Sequence, residues 1–148
     1  MALAAPDDLY EAPATLFVAS FVGSPAMNVL PGRLLYGPVP AVEIGAARLP
    51  LDSYQFRTPP DAARDVVVGI RPEHIILARD EPYERAADVE TLFIEPMGAD
   101  TLGWFRFGVH RLSARLQPRR ARGVDGPMRL ALDLAHASIF DRSSEQRL

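Results

Sequence analysis

Turn-forming residues interrupt this chain so often after Asn28 that it can build only short extended segments. Gly37-Pro38, Pro59-Pro60, Pro96-Met97-Gly98, Gly108 and Gly126-Pro127 punctuate nine β-like runs, at residues 29–36, 41–44, 47–51, 66–70, 74–78, 87–95, 101–107, 110–116 and 128–134. Two of the runs alternate cleanly. Leu112, Ala114 and Leu116 oppose Arg111, Ser113 and Arg115, and Met128, Leu130, Leu132 and Leu134 oppose Arg129, Ala131 and Asp133. That period of two marks half-buried antiparallel strands. Residues 66–70, VVVGI, do not alternate and are expected at the centre of a sheet, buried on both faces. Gly108 predicts a hairpin that turns over residues 107–110. Residues 55–65 are expected to form a loop, with at most a helical turn beginning at Pro60. Many short strands of this kind favour a small antiparallel barrel over a parallel sheet flanked by helices.

Only the N-terminal stretch reads as helical. Pro13 suits a first turn, Leu16, Phe17, Ser20 and Phe21 follow helical spacing, and Val18 and Val22 widen the apolar stripe. Gly23 and Pro25 end the segment. A helix of about three turns is marginal alone in water, so it must dock, with Leu16, Phe17, Phe21 and Val22 as its docking face.

Composition removes whole classes of chemistry. With 148 residues, one domain is expected, and 48% hydrophobic with 24% charged residues describes an ordinary globular chain, not a disordered one. There is no cysteine, which excludes disulfides, thiolate nucleophiles and cysteine metal sites. All 16 basic residues are arginine, which excludes Schiff-base chemistry and the phosphate-gripping lysine of a P-loop. A net charge of −3 argues against nucleic acid and anionic lipid as partners. No apolar run approaches the ~20 residues that span a bilayer, and MALAAPDD lacks the basic and apolar regions of a signal peptide. A cytoplasmic location without membrane insertion is the expectation.

Charge is unevenly spread. Residues 80–100 hold seven acids against Arg85, and residues 111–122 hold five arginines and no acid. Two solvated faces account for this, and pairing between the lobes of a symmetric dimer is the functional alternative.

Few residues form a chemical constellation. In GIRPEH, Pro72 forces Arg71 extended, so a strand kinks there and resumes at Ile75. On an extended backbone Arg71 and Glu73 share a face, either as an internal ion pair or as a polar patch for a ligand or partner. His74, His110 and His136 form no HxH or HxxxH pair, so no metal is expected. Ser113, Ser138 and Ser143 lack a nucleophile-elbow setting. No nucleotide-cradling glycine motif exists. Trp104, Phe105 and Phe107 beside Arg106 could stack on single-stranded nucleic acid, but one short strand with both faces apolar reads better as core.

The order of four segments carries a resemblance. LYEAPATLFVASFVGSPAMNVLPG, VVVGIRPEHIIL, VETLFIEPMGADTLGWFRF and the closing IFD together resemble the C-terminal portion of the ATP-binding subunit of carbohydrate ABC importers, the maltose and glycerol-phosphate type. SPAMN followed by GIRPEH is its most specific element. The resemblance implies a mainly β fold, an OB-like TOBE barrel over residues 26–148, preceded over residues 1–25 by the short helix that closes the ATPase domain. It implies a regulatory domain that dimerises, works with the parent ATPase and membrane subunits, and binds a regulatory protein. Arg71, Pro72, Glu73 and His74 match its GIRPEH, Glu95, Gly98, Ala99 and Thr101 its E-x-x-G-A-x-T, and Phe140-Asp141 its closing FD. Arg71, Glu73, His74, Glu95 and Asp141 are therefore the candidate interaction residues. ATP and Mg belong to motifs upstream of this segment, so no cofactor, metal or catalytic residue is expected here. Without its ATPase partner the helix face is expected to pack on a second copy, swap or stay disordered. The alternative function is a barrel that senses a sugar or an oxyanion, held by arginine-rich strands and backbone N–H groups.

Overall fold

The structure, a computed structural model, describes residues 27–78 and 86–148. The expected helix over 13–22, with Leu16, Phe17, Phe21 and Val22, lies outside the described residues.

Ten strands follow one another: β1 (Asn28–Leu35), β2 (Ala41–Ile44), β3 (Ala47–Pro50), β4 (Arg64–Ile70), β5 (Ile75–Leu77), β6 (Ala86–Met97), β7 (Asp100–Phe107), β8 (His110–Leu116), β9 (Pro127–Leu132) and β10 (Ser138–Asp141). They divide into two five-stranded sheets, ordered β10-β4-β1-β2-β3 and β5-β9-β6-β7-β8. Every pairing is antiparallel. The outer strands of the second sheet, β5 and β8, also lie against each other, which curls that sheet toward closure. The result is the mainly β, antiparallel architecture that the short runs imply, and it agrees with the OB-like barrel that the resemblance implies.

One core fills the space between the sheets. Leu30, Leu34, Val66, Val68, Ile70 and Ile139 from the first meet Val89, Phe105, Leu112, Leu116, Leu130 and Leu132 from the second. β4 lies between β10 and β1, and its last five residues are all buried, as the unbroken run VVVGI predicts. Its other face carries a satellite cluster of Met27 and Phe140. Burying each such side chain contributes roughly 1.5–3 kcal/mol.

Three of the hairpins share one device. Ile44 pairs with Ala47, Met97 with Asp100 and Phe107 with His110, so each loop has two residues. In each the first loop residue is a glycine at positive φ: Gly45 at 58°, Gly98 at 67° and Gly108 at 62°. Glycine first with an ordinary second residue is the type II′ pattern, whose twist matches that of the flanking strands. The 107–110 turn is where the sequence puts it.

The expected loop over 55–65 ends two residues early, since Arg64 and Asp65 already belong to β4, and Pro118–Ala121 form a short helix that the run analysis does not register. Residues 51–63 contain no helix or strand. β10 is a strand that the run analysis does not register; it is four residues long, non-alternating and nearly all buried. At Pro72 the chain does more than kink. Pro72–His74 form a 3-10 turn, so the extended backbone that would set Arg71 and Glu73 on one face stops at Arg71.

Candidate functional site

The two most specific motifs of the sequence meet in space. Asn28, the last residue of SPAMN, stands opposite Ile70 in the β1–β4 ladder, immediately before Arg71. The sulfur of Met27 is seated directly over Gly69, where no larger residue would leave it room. From the same position the side chain of Asn28 reaches the second sheet. Its Nδ2 donates to the Ser113 carbonyl at 2.8 Å, and its Oδ1 accepts from the Ser113 N–H at 2.8 Å. The Ser113 hydroxyl adds a longer bond to Oδ1, 3.3 Å. β8 is the last strand of its sheet, so a side-chain amide takes the place of a neighbouring strand at its outer edge. Sequence reasoning missed this contact, because its two ends are 85 residues apart.

Beyond Ile70 the GIRPEH segment packs into the same seam. Arg71 is 2% exposed, Pro72 is buried at the first position of the 3-10 turn, and that turn lies against β8. Glu73 and His74 are partly exposed. The His74 ring stacks on His136 with centroids 4.6 Å apart and planes 19° from parallel. The His136 Nδ1 lies 2.7 Å from an Asp133 carboxylate oxygen, and the Asp133 N–H donates to the His74 carbonyl at 2.9 Å. Two 3-10 turns, Pro72–His74 and Leu134–His136, are thereby locked together. Ring lone pairs lie in the ring planes, so two near-parallel rings aim theirs side by side and not at one point. That is a packing geometry and not a chelating one, and among the described residues no group of three or more His, Asp or Glu is placed to hold a metal ion.

The other candidate residues stand elsewhere. Asp141 pairs with Val66 and Asn28 with Ile70, so Asp141 lies toward the opposite end of β4 from Arg71. Its carboxylate accepts from the N–H groups of Ser143 and Ser144, both at 2.9 Å, and from Arg64 Nη1 at 3.2 Å. The Ser144 N–H foremost, with those of Ser143 and Arg64, holds its pKa below the usual carboxylate range, against the opposing pull of desolvation. Asp141 thus fixes the turn that leads to Glu145, a non-glycine residue at φ 60°.

Glu95 is exposed on β6 and accepts from Trp104 Nε1 at 3.2 Å. Trp104 stacks on Phe93 at 5.9 Å, and the Arg111 guanidinium lies over both rings, 5.5 Å from Phe93 and 5.6 Å from Trp104. β7 therefore splits its aromatics: Phe105 and Phe107 face the core and Trp104 the outside. The acidic and basic runs also meet within the chain, with Asp100 and Arg115 3.9 Å apart. Beside Asp133, a mostly apolar cavity of about 250 Å³ is lined by Leu49, Ile76 and Leu134 among others. A larger and more open hollow of about 680 Å³ lies between β6, β7 and β9, lined by Asp88, Glu90, Arg106 and Arg129 among others.

The seam of β1, β4 and the Pro72–His74 turn coincides with a family match: residues 23–75 match the MalK OB fold domain.

Comparison of the whole chain extends that match. Over 147 residues it is 37% identical to the sn-glycerol-3-phosphate import ATP-binding protein UgpC of Burkholderia pseudomallei, covering 98% of this chain and 40% of the relative. The UgpC of Escherichia coli is 39% identical over 145 residues, 97% of this chain and 39% of the relative. The sulfoquinovosyl glycerol transport ATP-binding protein SmoE of Agrobacterium fabrum is 35% identical over 144 residues, again 97% and 39%. The chain spans about 40% of the length of the curated relatives it matches. Among solved structures, the cytoplasmic molybdate-binding protein ModG aligns with a TM-score of 0.55 and 13% identity over 76% of this chain and 94% of its own. That likeness shows the fold alone. Within the matched segment, Met27 and Asn28 of SPAMN and the residues of GIRPEH are the two halves of one structural joint.

Proposed function

We propose that the chain is the accessory domain of the ATP-binding subunit of a sugar-type ABC importer, which joins two copies, receives a regulatory protein and hydrolyses no ATP itself. The observation that carries this reading is an alignment along 98% of the chain with import ATP-binding proteins of which it spans only 40%, together with the OB-domain match. The sequence adds support, since no P-loop occurs in it. Among the described residues no helix is long and apolar enough to cross a membrane. The chain would work at the cytoplasmic face through the parent ATPase and membrane subunits, with Glu73, His74, Glu95 and Asp141 as interaction residues and the buried Arg71 supporting the turn that presents Glu73 and His74. The docking face Leu16, Phe17, Phe21 and Val22 would meet the nucleotide-binding part or a second copy.

Light scattering on the purified chain tests the first part. A dimer mass at micromolar concentration is expected. A monomer at every concentration overturns the dimer, and ATP hydrolysis by the pure chain overturns the non-catalytic reading.

A further inference from the structure

The β7–β8 hairpin sets two arginines face to face. Arg106 and Arg111 are direct partners in the ladder, one residue in from the hydrogen-bonded Phe107–His110 pair that closes the two-residue loop. They therefore occupy a non-hydrogen-bonded site, where opposed side chains come closest. Both are exposed, and among the described residues neither has a carboxylate within ion-pair distance. Glu90, opposite Arg106 on β6, forms no ion pair with it, and Glu95 is engaged by Trp104. Like charges placed directly opposite destabilise a sheet. The hairpin carries this cost with no acid of its own to relieve it.

The neighbours of the pair are those of a binding surface. Arg111 is held over Phe93 and Trp104, which restricts its guanidinium and leaves its N–H groups turned to solvent. Phe93, on the neighbouring strand β6, is 43% exposed. Arginine and tryptophan are the residue types that dominate protein interfaces energetically. We propose that Arg106 and Arg111, with the Phe93–Trp104 platform, dock an acidic segment of a partner protein. Its carboxylates neutralise the arginine pair, and its apolar side chains cover Phe93. Charge complementarity selects this occupant. Nucleic acid is disfavoured because Phe93 and Trp104 stack on each other beneath the Arg111 guanidinium, which occupies ring faces that a base would need. The inference deepens the interaction-module reading and rests on it, naming the surface and the chemistry of the partner.

Trp104 is the chain's single tryptophan, so its emission reports on the site directly. The full chain is titrated with poly-L-glutamate at low salt. The expected result is a saturable change in emission whose midpoint weakens about tenfold in the Arg106→Gln, Arg111→Gln double variant. An Arg119→Gln, Arg120→Gln, Arg122→Gln control should bind as the parent chain does. Arg106→Glu, which replaces one cation of the pair by an acid, should abolish binding, and the folded fraction by circular dichroism should be unchanged. The proposal is overturned by no saturable response, by equal weakening in the control, or by tighter binding of oligothymidylate than of poly-L-glutamate. An equal response to molybdate or phosphate would assign the site to small oxyanions and overturn it too. So would a gain in affinity on neutralising Asp80, Glu81 and Glu84, which would make residues 79–85 the natural occupant. A monomeric chain that still binds the probe site-specifically leaves this inference standing while the dimer reading fails.

Discussion

Asn28 holds Ser113 by both its backbone groups, so one side-chain amide closes the outer edge of β8 from the opposite sheet. Both residues are buried, and neither backbone group of Ser113 has water as an alternative. Asn28→Ala should destabilise the fold by about 2–4 kcal/mol, since it removes two hydrogen bonds and orphans a buried N–H and C=O. Urea denaturation measures this. Asn28→Asp should be no better, because its carboxylate faces the Ser113 carbonyl without a donor. A loss within about 0.5 kcal/mol, the scale of a neutral surface change, would show that the edge is held by other means.

The Met27–Gly69 seat predicts a coupled pair. Gly69→Val places side-chain carbon where the Met27 sulfur sits and should cost about 1–3 kcal/mol, the usual penalty of overpacking. Met27→Ala clears that space. In the double variant the two losses should sum to less than the separate values, and a double-mutant cycle reads the difference. Strict additivity would mean that the two motifs are not joined there.

Asp141 predicts a specific acid sensitivity. Its folded pKa is lowered, chiefly by the Ser144 N–H, so ionised Asp141 adds stability above the unfolded carboxylate pKa. That contribution is lost as pH falls through the folded value. The unfolding midpoint of the parent chain should therefore drop more steeply below about pH 4 than that of Asp141→Asn. The variant should be less stable near neutrality, with the two curves converging in acid. Parallel curves across the acid range would contradict it.

Much of this fold was legible because β6, β7 and β8 form a run of consecutive hairpins and the strands are short and plainly punctuated. Leu112, Ala114 and Leu116 announce β8 by alternation, and VVVGI announces a central strand by its lack of it. The three glycine-first loops punctuate the chain at fixed places. Other features left no local signal. SIFD is too short and too uniformly buried to alternate, so β10 is invisible until β4 is seen to need a second neighbour. The Asn28 clamp and the His74–His136 stack join residues remote in sequence. Histidine spacing was informative only about chelation within one element and said nothing of rings brought together by two separate turns. Reading Trp104 with Phe105 and Phe107 as one apolar strand hid that alternate residues face opposite ways.

Gly108→Ala offers a test of the loop device. An added methyl meets no atom within 4 Å there, so any cost comes from the backbone at φ 62° and not from crowding. The expected loss is about 1 kcal/mol, with Gly108→Asn recovering part of it. Thermal unfolding by circular dichroism measures both. A larger loss for Asn than for Ala would show that the turn is not governed by handedness.

β10 also sets an order of events during synthesis. Ser138 pairs with Gly69, so one edge of VVVGI waits for roughly 70 further residues to emerge before it is covered. A five-residue run without charge or proline, rich in β-branched side chains, is the kind of segment that pairs with other chains when left open. Until Ser138–Asp141 arrives, the nascent chain carries its most aggregation-prone strand uncovered. Loss of those four residues should therefore appear first as insolubility and only second as a lower melting temperature.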